Sequence, residues 1–526
     1  MAKSAAARTA HFGLFGACLA LYLIVSLRHL QVTPKVYEDE PWQASAGWKL
    51  ATQGVFGSDM FSGFYGMESH VYAFMPLHPM LLAATYRLIG LGLFQTRLEP
   101  VMLGLLLIAL TYALGRRLFD AAVGLLAVAL ILLVRFTTLT PSQPTGILLL
   151  DIARIARYDM LAAVLGLASL HVYLTASRRS DWRYHAVAGL LASLAAFAHL
   201  YGGFWLIALA ALTIWNRAGW RALLALLIGF ALPWPLYLAY LSTDPADWLG
   251  QVRDYAPRFD LLNPAWYLGN LRDEYLRYSP GLGSPGWHYL LRPGFWIVAM
   301  AVPASGLALM RRAGGRGDHA ARVLVAPLFV FPALFALLIH LKLINYLIAV
   351  LPLGALAMAW GGVALWRRGE PLRRGQWLRA ALAVVALCLL VEGAGRVAAL
   401  EATAATTTPY RDFIGRVRAS IPPGSRVLGL HHYWLGLHDL DYRSWFVPIL
   451  QSDPNYSQPP RPIEAALDAI APDVILIDPR LREYLQSPGA PSARGVLEWM
   501  ERRSYELAAT IDDATYGLME IYRRNR

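Results

Sequence analysis

A chain of 526 residues that is 57% hydrophobic and only 16% charged carries well under the about 25% charge of an ordinary soluble domain. Its mean hydropathy of +0.42 excludes disorder and a water-soluble multidomain enzyme. The net charge of +12 invites a nucleic-acid partner, but only four of the 47 basic residues are Lys and the arginines gather between apolar runs, so none is assigned.

The first apolar run covers 12–27 and follows Lys3 and Arg8. No small-x-small cleavage site comes after it, which predicts an uncleaved helix with a cytoplasmic N-terminus. Further runs sit at 98–115, 119–136, 160–176, 186–199, 201–216, 221–241, 294–310, 323–339, 345–366 and 379–398. Each approaches the about 20 residues needed to cross a bilayer core. Cys18 and Cys388 lie inside apolar segments, so neither a disulfide nor a Cys metal site is expected.

Basic clusters set the sides: Arg116-Arg117, Arg178-Arg179 with Arg183, Arg217 with Arg221, Arg311-Arg312 with Arg316, and Arg367-Arg368 with Arg373-Arg374. All fall on the cytoplasmic face if eleven spans are counted. The stretch 77–93 stays out of that count, because Pro76, Pro79, Arg87 and its short length suit a helix lying along the outer interface. Counting it as a span would put Arg116-Arg117 outside. The expectation is a multi-pass plasma (inner) membrane protein with its N-terminus inside and its C-terminus outside.

Three outer loops are then long, 28–97, 137–159 and 242–293, and a tail from 399 to 526 shares their face. The last loop holds Trp248, Tyr255, Trp266, Tyr267, Tyr275, Tyr278, Trp287 and Tyr289. An interfacial aromatic belt accounts for such rings, and stacking on a sugar is the functional alternative. In the tail, Pro422-Pro423-Gly424 and Pro459-Pro460 punctuate strand-like runs at 427–430 and 474–477 and helical patterns at 464–470 and 493–503. This predicts a small extracytoplasmic α/β domain at 399–526 behind an all-α membrane domain at 1–398.

Charged residues near the outer span ends carry the chemistry, since carboxylates beside hydrocarbon are costly and need a partner or a task. Glu38-Asp39-Glu40-Pro41 follows the first span, with Asp39 placed to cap a helix. Asp159 opens the fourth span after Asp151, Arg154 and Arg157. Two converging carboxylates can bind a divalent cation or share base and electrostatic roles. His199 lies at one outer turn, and His340-Leu341-Lys342-Leu343-Ile344-Asn345-Tyr346 forms another. Lys342, outside against the positive-inside trend, and Arg258 in the aromatic loop suit a lipid-linked phosphate.

These pieces, in this order, resemble the GT-C glycosyltransferases, chiefly the lipid A aminoarabinose transferases and protein O-mannosyltransferases. Asp39-Glu40-Pro41-Trp42-Gln43-Ala44 running to Gln53-Gly54 is similar to that family's first outer loop. Met75-Pro76-Leu77-His78-Pro79 matches its entry to an interfacial helix. Leu232-Pro233-Trp234, Asp244-Pro245-Ala246-Asp247-Trp248 and Arg258-Phe259 resemble its fourth-loop entry, and Lys342 to Leu347 its Lys-Leu-Pro-x-Tyr turn. The likeness covers residues 12–400. Two departures stand out. Phe74-Met75 replaces a Glu-Lys pair, and Ile344 replaces the turn's proline.

The resemblance implies a GT-C fold and an enzyme that moves a sugar from a polyprenyl-phosphate donor to an acceptor hydroxyl, with inversion, at the outer membrane face. Asp39 would be the lead catalytic carboxylate, with Glu40 beside it and Asp159 as the second acid. Arg258, Lys342, Tyr346 and His199 would hold the donor phosphate. A divalent cation, Mg²⁺ or Mn²⁺, would sit on Asp39 or Asp159. The acceptor is left open among glycan, lipid and protein hydroxyls of the cell envelope. The competing function is a transporter or flippase of a polyprenyl-linked sugar. No internal repeat supports it, and the charged residues gather at one face instead of mid-membrane.

Overall fold

The computed structural model describes residues 2–135, 137, 140, 142–179, 181–278, 293–315, 318–369, 373–487 and 495–525. Trp287, Tyr289 and Arg316 lie outside the described residues, as do positions 493 and 494.

The chain is mostly helical. Among the described residues, seven helical segments are long and apolar enough to cross a membrane: Thr9–Leu27, Leu93–Leu118, Tyr158–Ser177, Trp220–Leu241, Gly294–Gly315, His319–Leu338 and Gly375–Ala419. The remaining predicted runs are helical as well, in Ala121–Leu133, Trp182–Ala198, Phe204–Trp215 and Leu351–Arg368. A helix is the only open element that satisfies every backbone group inside hydrocarbon. Pro233 explains the break between Trp220–Ala231 and Trp234–Leu241, because it removes a donor from the helical ladder. The stretch 77–93 forms the 13-residue helix Leu77–Ile89. At 1.5 Å per residue that is roughly 20 Å, short of the roughly 30 Å of a bilayer core.

Contacts divide the chain into two compact units, of which the first is Met1–Arg28, Pro100–Tyr237 and Asp260–Glu401. Small residues set the crossing of two of its helices. A Cβ on Gly189 would lie 2.0 Å from the Leu226 carbonyl oxygen, and one on Gly229 would lie 1.9 Å from that of Ala186. The helices Trp182–Ala198 and Trp220–Ala231 therefore touch backbone to backbone, as membrane helices do where small residues face each other. On the other side of the second helix Leu224, Leu227 and Ile228 are exposed, a face for lipid.

The second unit is His29–Glu99, Leu238–Phe259 and Ala402–Arg526. Its centre is a five-stranded sheet of β1 (Arg426–Gly429), β2 (Asp441–Ser444), β3 (Val474–Ile477), β4 (Tyr505–Asp513) and β5 (Gly517–Arg524), in the order β2-β1-β3-β5-β4. β1 runs parallel to β2 and β3, while β5 runs antiparallel to β3 and β4. The two strands read from the sequence are β1, with Val427 and Leu428 buried, and β3, which is apolar throughout. The hairpin of β4 and β5 was not foreseen. β4 is largely exposed and carries Glu506, Asp512 and Asp513, so it has no continuous apolar signature. The tail does not bury its core alone. Val36, Phe61, Phe64, Leu82 and Tyr86 of the segment 29–99 pack in one apolar cluster with Phe413, Val427, Trp445 and Ile475.

Candidate functional site

In the first unit the helix Tyr158–Arg179 opens with Asp159 in its first turn, where the partial positive charge of a helix start favours a carboxylate. Asp159 is fully buried and uses both oxygens. Arg157 Nε donates to Oδ2 at 2.7 Å, and Tyr201 Oη donates to Oδ1 at 2.7 Å. Tyr201 reaches it because the chain turns sharply after His199 through Leu200–Gly203. Glycine is required there, since a Cβ on Gly202 would lie 2.1 Å from the Ala195 carbonyl oxygen.

His199 stacks on Tyr158 with ring centroids 4.4 Å apart and lies 5.5 Å from Tyr346. Tyr346 in turn lies 5.0 Å from Tyr201. Asp159, His199 and Tyr346 are thus brought into one cluster. Arg157 and Tyr201 complete it and were not singled out from sequence as site residues. Asp151, a few residues upstream, is fully buried and accepts from Thr145 Oγ1 at 2.7 Å and Gly146 N at 2.7 Å. Burial pushes its carboxyl up to about 7.

Lys342 belongs to a second arrangement in the same unit. Its ammonium lies 3.0 Å from Glu274 Oε2 and donates to the Ala336 carbonyl at 3.0 Å. Arg277 shares that carboxylate, with Nε donating to Glu274 Oε1 at 2.6 Å, and also donates to the Leu343 carbonyl at 2.9 Å. Burial pulls the Lys342 ammonium below its ordinary value while Glu274 pulls it back. The turn is therefore an Arg–Glu–Lys triad and not an isolated cation. Glu274 and Arg277 are the residues that sequence reasoning missed. Their only signal was their position in the aromatic loop.

In the second unit the helix Asp39–Gln53 begins at Asp39 itself, with Glu38 at the capping position and no side-chain cap bond. Asp39 is half-buried in the first turn, not the cap residue expected. Glu40 is fully buried and accepts two bonds from Arg97, Nε to Oε1 and Nη2 to Oε2, both at 2.8 Å. It also accepts from Tyr37 N at 2.7 Å. Arg258 lies over the Tyr255 ring at 4.6 Å.

Among the described residues, His70, Asp244 and Asp247 are the one group of three His, Cys, Asp or Glu side chains placed to hold a metal ion, with ligand atoms within 4.8 Å of one another. Neither Asp39 nor Asp159 belongs to it. His70 Nε2 sits 2.8 Å from Asp247 Oδ2. Gly66 leaves the room for this approach, since a Cβ there would come 2.2 Å from Asp247 Oδ2 and 2.8 Å from His70 Nε2. One imidazole and two carboxylates form a donor set suited to Zn²⁺ or Mn²⁺.

No protein-family model matches the sequence, and no curated protein matches it. Solved structures do. The crystal structure of ArnT from Cupriavidus metallidurans bound to undecaprenyl phosphate aligns at 16% identity over 97% of this chain and 98% of that one, with a TM-score of 0.57. The oligosaccharyltransferase AglB from Archaeoglobus fulgidus, in complex with an inhibitory peptide and a dolichol-phosphate, aligns at 12% identity over 98% of this chain and 74% of that one, with a TM-score of 0.57. The same oligosaccharyltransferase in complex with Zn and sulfate aligns at 15% identity over 96% and 73%, with a TM-score of 0.56. At these identities the likeness is one of fold: the chain has the GT-C fold of a multi-pass membrane protein.

Proposed function

We propose that this protein is a membrane glycosyltransferase that moves a sugar from a polyprenyl-phosphate donor to an acceptor hydroxyl at the outer face of the plasma (inner) membrane, in cell-envelope glycan or glycolipid synthesis. The observation that carries it is the fold, shared nearly end to end with an enzyme crystallised with undecaprenyl phosphate. The donor's tail stays in lipid, so no nucleotide-binding domain is needed. In this division 1–398 is the transferase domain and 399–526 an extracytoplasmic domain.

Asp39 takes the proton of the acceptor hydroxyl as its oxygen attacks the anomeric carbon. The bond to phosphate breaks on the opposite face, and a single displacement inverts that carbon. Asp159, held by Arg157 and Tyr201, is the second acidic residue of the proposed site. Lys342, Arg258, Tyr346 and His199 hold the departing phosphate, where cationic donors stabilise the charge that develops. Glu40 acts as a positioning residue, because its carboxylate is consumed by Arg97. A divalent cation on His70, Asp244 and Asp247 would supply Lewis-acid or structural chemistry.

Transfer of a radiolabelled sugar from a polyprenyl-phosphate donor by the purified protein in detergent tests the function, with a chelator arm for the cation. A panel of donors and acceptors that yields no transfer, beside donor flipping in liposomes, would replace the transferase with the flippase. Within that assay, Lys342→Ala and Arg258→Ala should each raise the apparent KM for donor by about tenfold or more, from about 1.5–3 kcal/mol per lost charged hydrogen bond. Unchanged donor affinity in both would leave them as headgroup contacts.

Sidedness has its own test. After replacement of Cys18 and Cys388, a Trp182→Cys protein should be labelled only from the cytoplasm and an Asn455→Cys protein only from outside. Both positions are exposed, so reagent access is not limited by packing. Labelling of both from one side would overturn the eleven-span order.

A further inference from the structure

In the first unit, the segment that begins at Asp260 turns a leucine-rich face outward. Asn263 Oδ1 accepts from Ala265 N at 3.0 Å and Pro264 follows it, so the helix Pro264–Arg272 starts with a side-chain cap and a preset φ. The 3₁₀ turn Asp273–Arg277 continues it. Leu268, Leu271 and Tyr275 recur at spacings of three and four, which puts them on one side. Leu262, just before the helix, is 97% exposed, Leu268 is 68% and Tyr275 is 60%.

The other side is polar and buried. Asn270 and Arg277 are both almost fully enclosed. Asn270 Nδ2 donates to the Leu337 carbonyl at 3.0 Å, and its Oδ1 lies 3.3 Å from His340 Nδ1. Arg277 Nη1 donates to the Leu343 carbonyl at 2.9 Å and Nη2 to the Phe335 carbonyl at 3.3 Å. These bonds hold the segment against the end of the span His319–Leu338 and the turn that follows it. An amide and a guanidinium inside, with leucines outside, reverse the order that water imposes. Such a face is stable where the surrounding medium is itself apolar.

We infer that residues 261–275 lie in the membrane surface, with Leu262, Leu268, Leu271 and Tyr275 seated in the leaflet at the Leu338 end of that span. In the eleven-span order this is the outer leaflet. Lipid is the occupant because the face continues the lipid-facing surface of the span: Leu337, whose carbonyl Asn270 holds, is itself exposed in the last helical turn. The Tyr275 ring and the exposed Arg272, paired with Asp273 at 2.8 Å, suit the headgroup level. A helix lying in the interface buries its apolar face by about 5–10 Å. The cluster of Glu274, Arg277 and Lys342, built on the same segment, then sits at the depth of lipid phosphates. This seating needs only the membrane fold and stands apart from the sugar chemistry.

For the test, the full-length protein with Cys18 and Cys388 replaced is reconstituted into nanodiscs of phosphatidylethanolamine and phosphatidylglycerol. It carries one spin label, at Leu262→Cys, Leu268→Cys or, on the tail, Asn455→Cys. All three positions are exposed, so a label does not disturb the packing. Power-saturation EPR compares collisions with O₂, which concentrates in lipid, and with a water-soluble nickel chelate. Labels at 262 and 268 should show an O₂-to-nickel ratio several-fold above that at 455. Equal ratios at all three would place the face in water and overturn the seating. Shielding of 262 and 268 from both reagents would mean that a protein surface covers them, whether a partner or a second copy, and would overturn lipid as the occupant. The measurement needs no donor, so loss of sugar transfer and loss of membrane seating are read separately.

Discussion

The Asp39→Asn protein should lose sugar transfer by about 10²–10⁴-fold, the range that general-base help contributes, while inserting and melting like the parent. Asn keeps the size of the side chain and its capacity to accept hydrogen bonds, but it cannot take a proton. Asp39 occupies the first turn of Asp39–Gln53, where the helix start already favours a carboxylate. Loss of that favourable term costs about 0.3–1 kcal/mol, too little to unfold the unit. Donor KM should change little and kcat should collapse. Near-parental kcat would remove Asp39 as the base and return the role to Asp159, whose oxygens are already committed to Arg157 and Tyr201.

What the sequence made legible follows a physical divide. The spans could be read because hydrocarbon demands long apolar helices, and runs such as 98–115 or 323–339 have no competing interpretation. β1 and β3 were readable for the same reason, since Val474–Ile477 is buried throughout. β4 and β5 were not, because an exposed edge hairpin spreads its apolar residues too thinly. At the site, Asp159, His199 and Tyr346 were singled out separately and meet in one cluster. Their partners escaped notice because pairing is a property of the fold. Arg157 was named only as a sequence neighbour of Asp159, and Glu274 was not singled out at all. Nor could spacing bring His70 beside Asp247, 177 positions away. The same limit hid the shared core of the segment 29–99 and the tail, which no local pattern encodes.

Arg97→Ala should be the most damaging single change to the second unit. All five N–H groups of this fully buried guanidinium are engaged. Nε and Nη2 hold the two Glu40 oxygens, Nη1 donates to the Leu30 carbonyl at 2.7 Å and the Pro34 carbonyl at 2.9 Å, and Nη2 reaches the Lys35 carbonyl at 3.1 Å. Removing it strands the Glu40 charge in the interior and frees three carbonyls, a loss of about 3–5 kcal/mol for the broken pair alone. A thermal melt in detergent, or protease resistance of the tail, should report that loss. Arg418→Ala is the control: its pair with Asp439 is about half exposed on both sides, so it should cost under about 1 kcal/mol. Arg97→Lys should fail nearly as badly as Ala, because one ammonium cannot span a bidentate carboxylate and three carbonyls. Adding Glu40→Gln to Arg97→Ala should recover part of the stability, since it removes the stranded charge. Without such recovery, the carbonyl bonds and not the ion pair would be what holds the segment. Those bonds fix Leu30–Lys35, the stretch that leads into Asp39, so Arg97→Ala should lower stability and transfer together. Asp39→Asn should lower transfer alone, and that contrast separates the residue that places the base from the base itself.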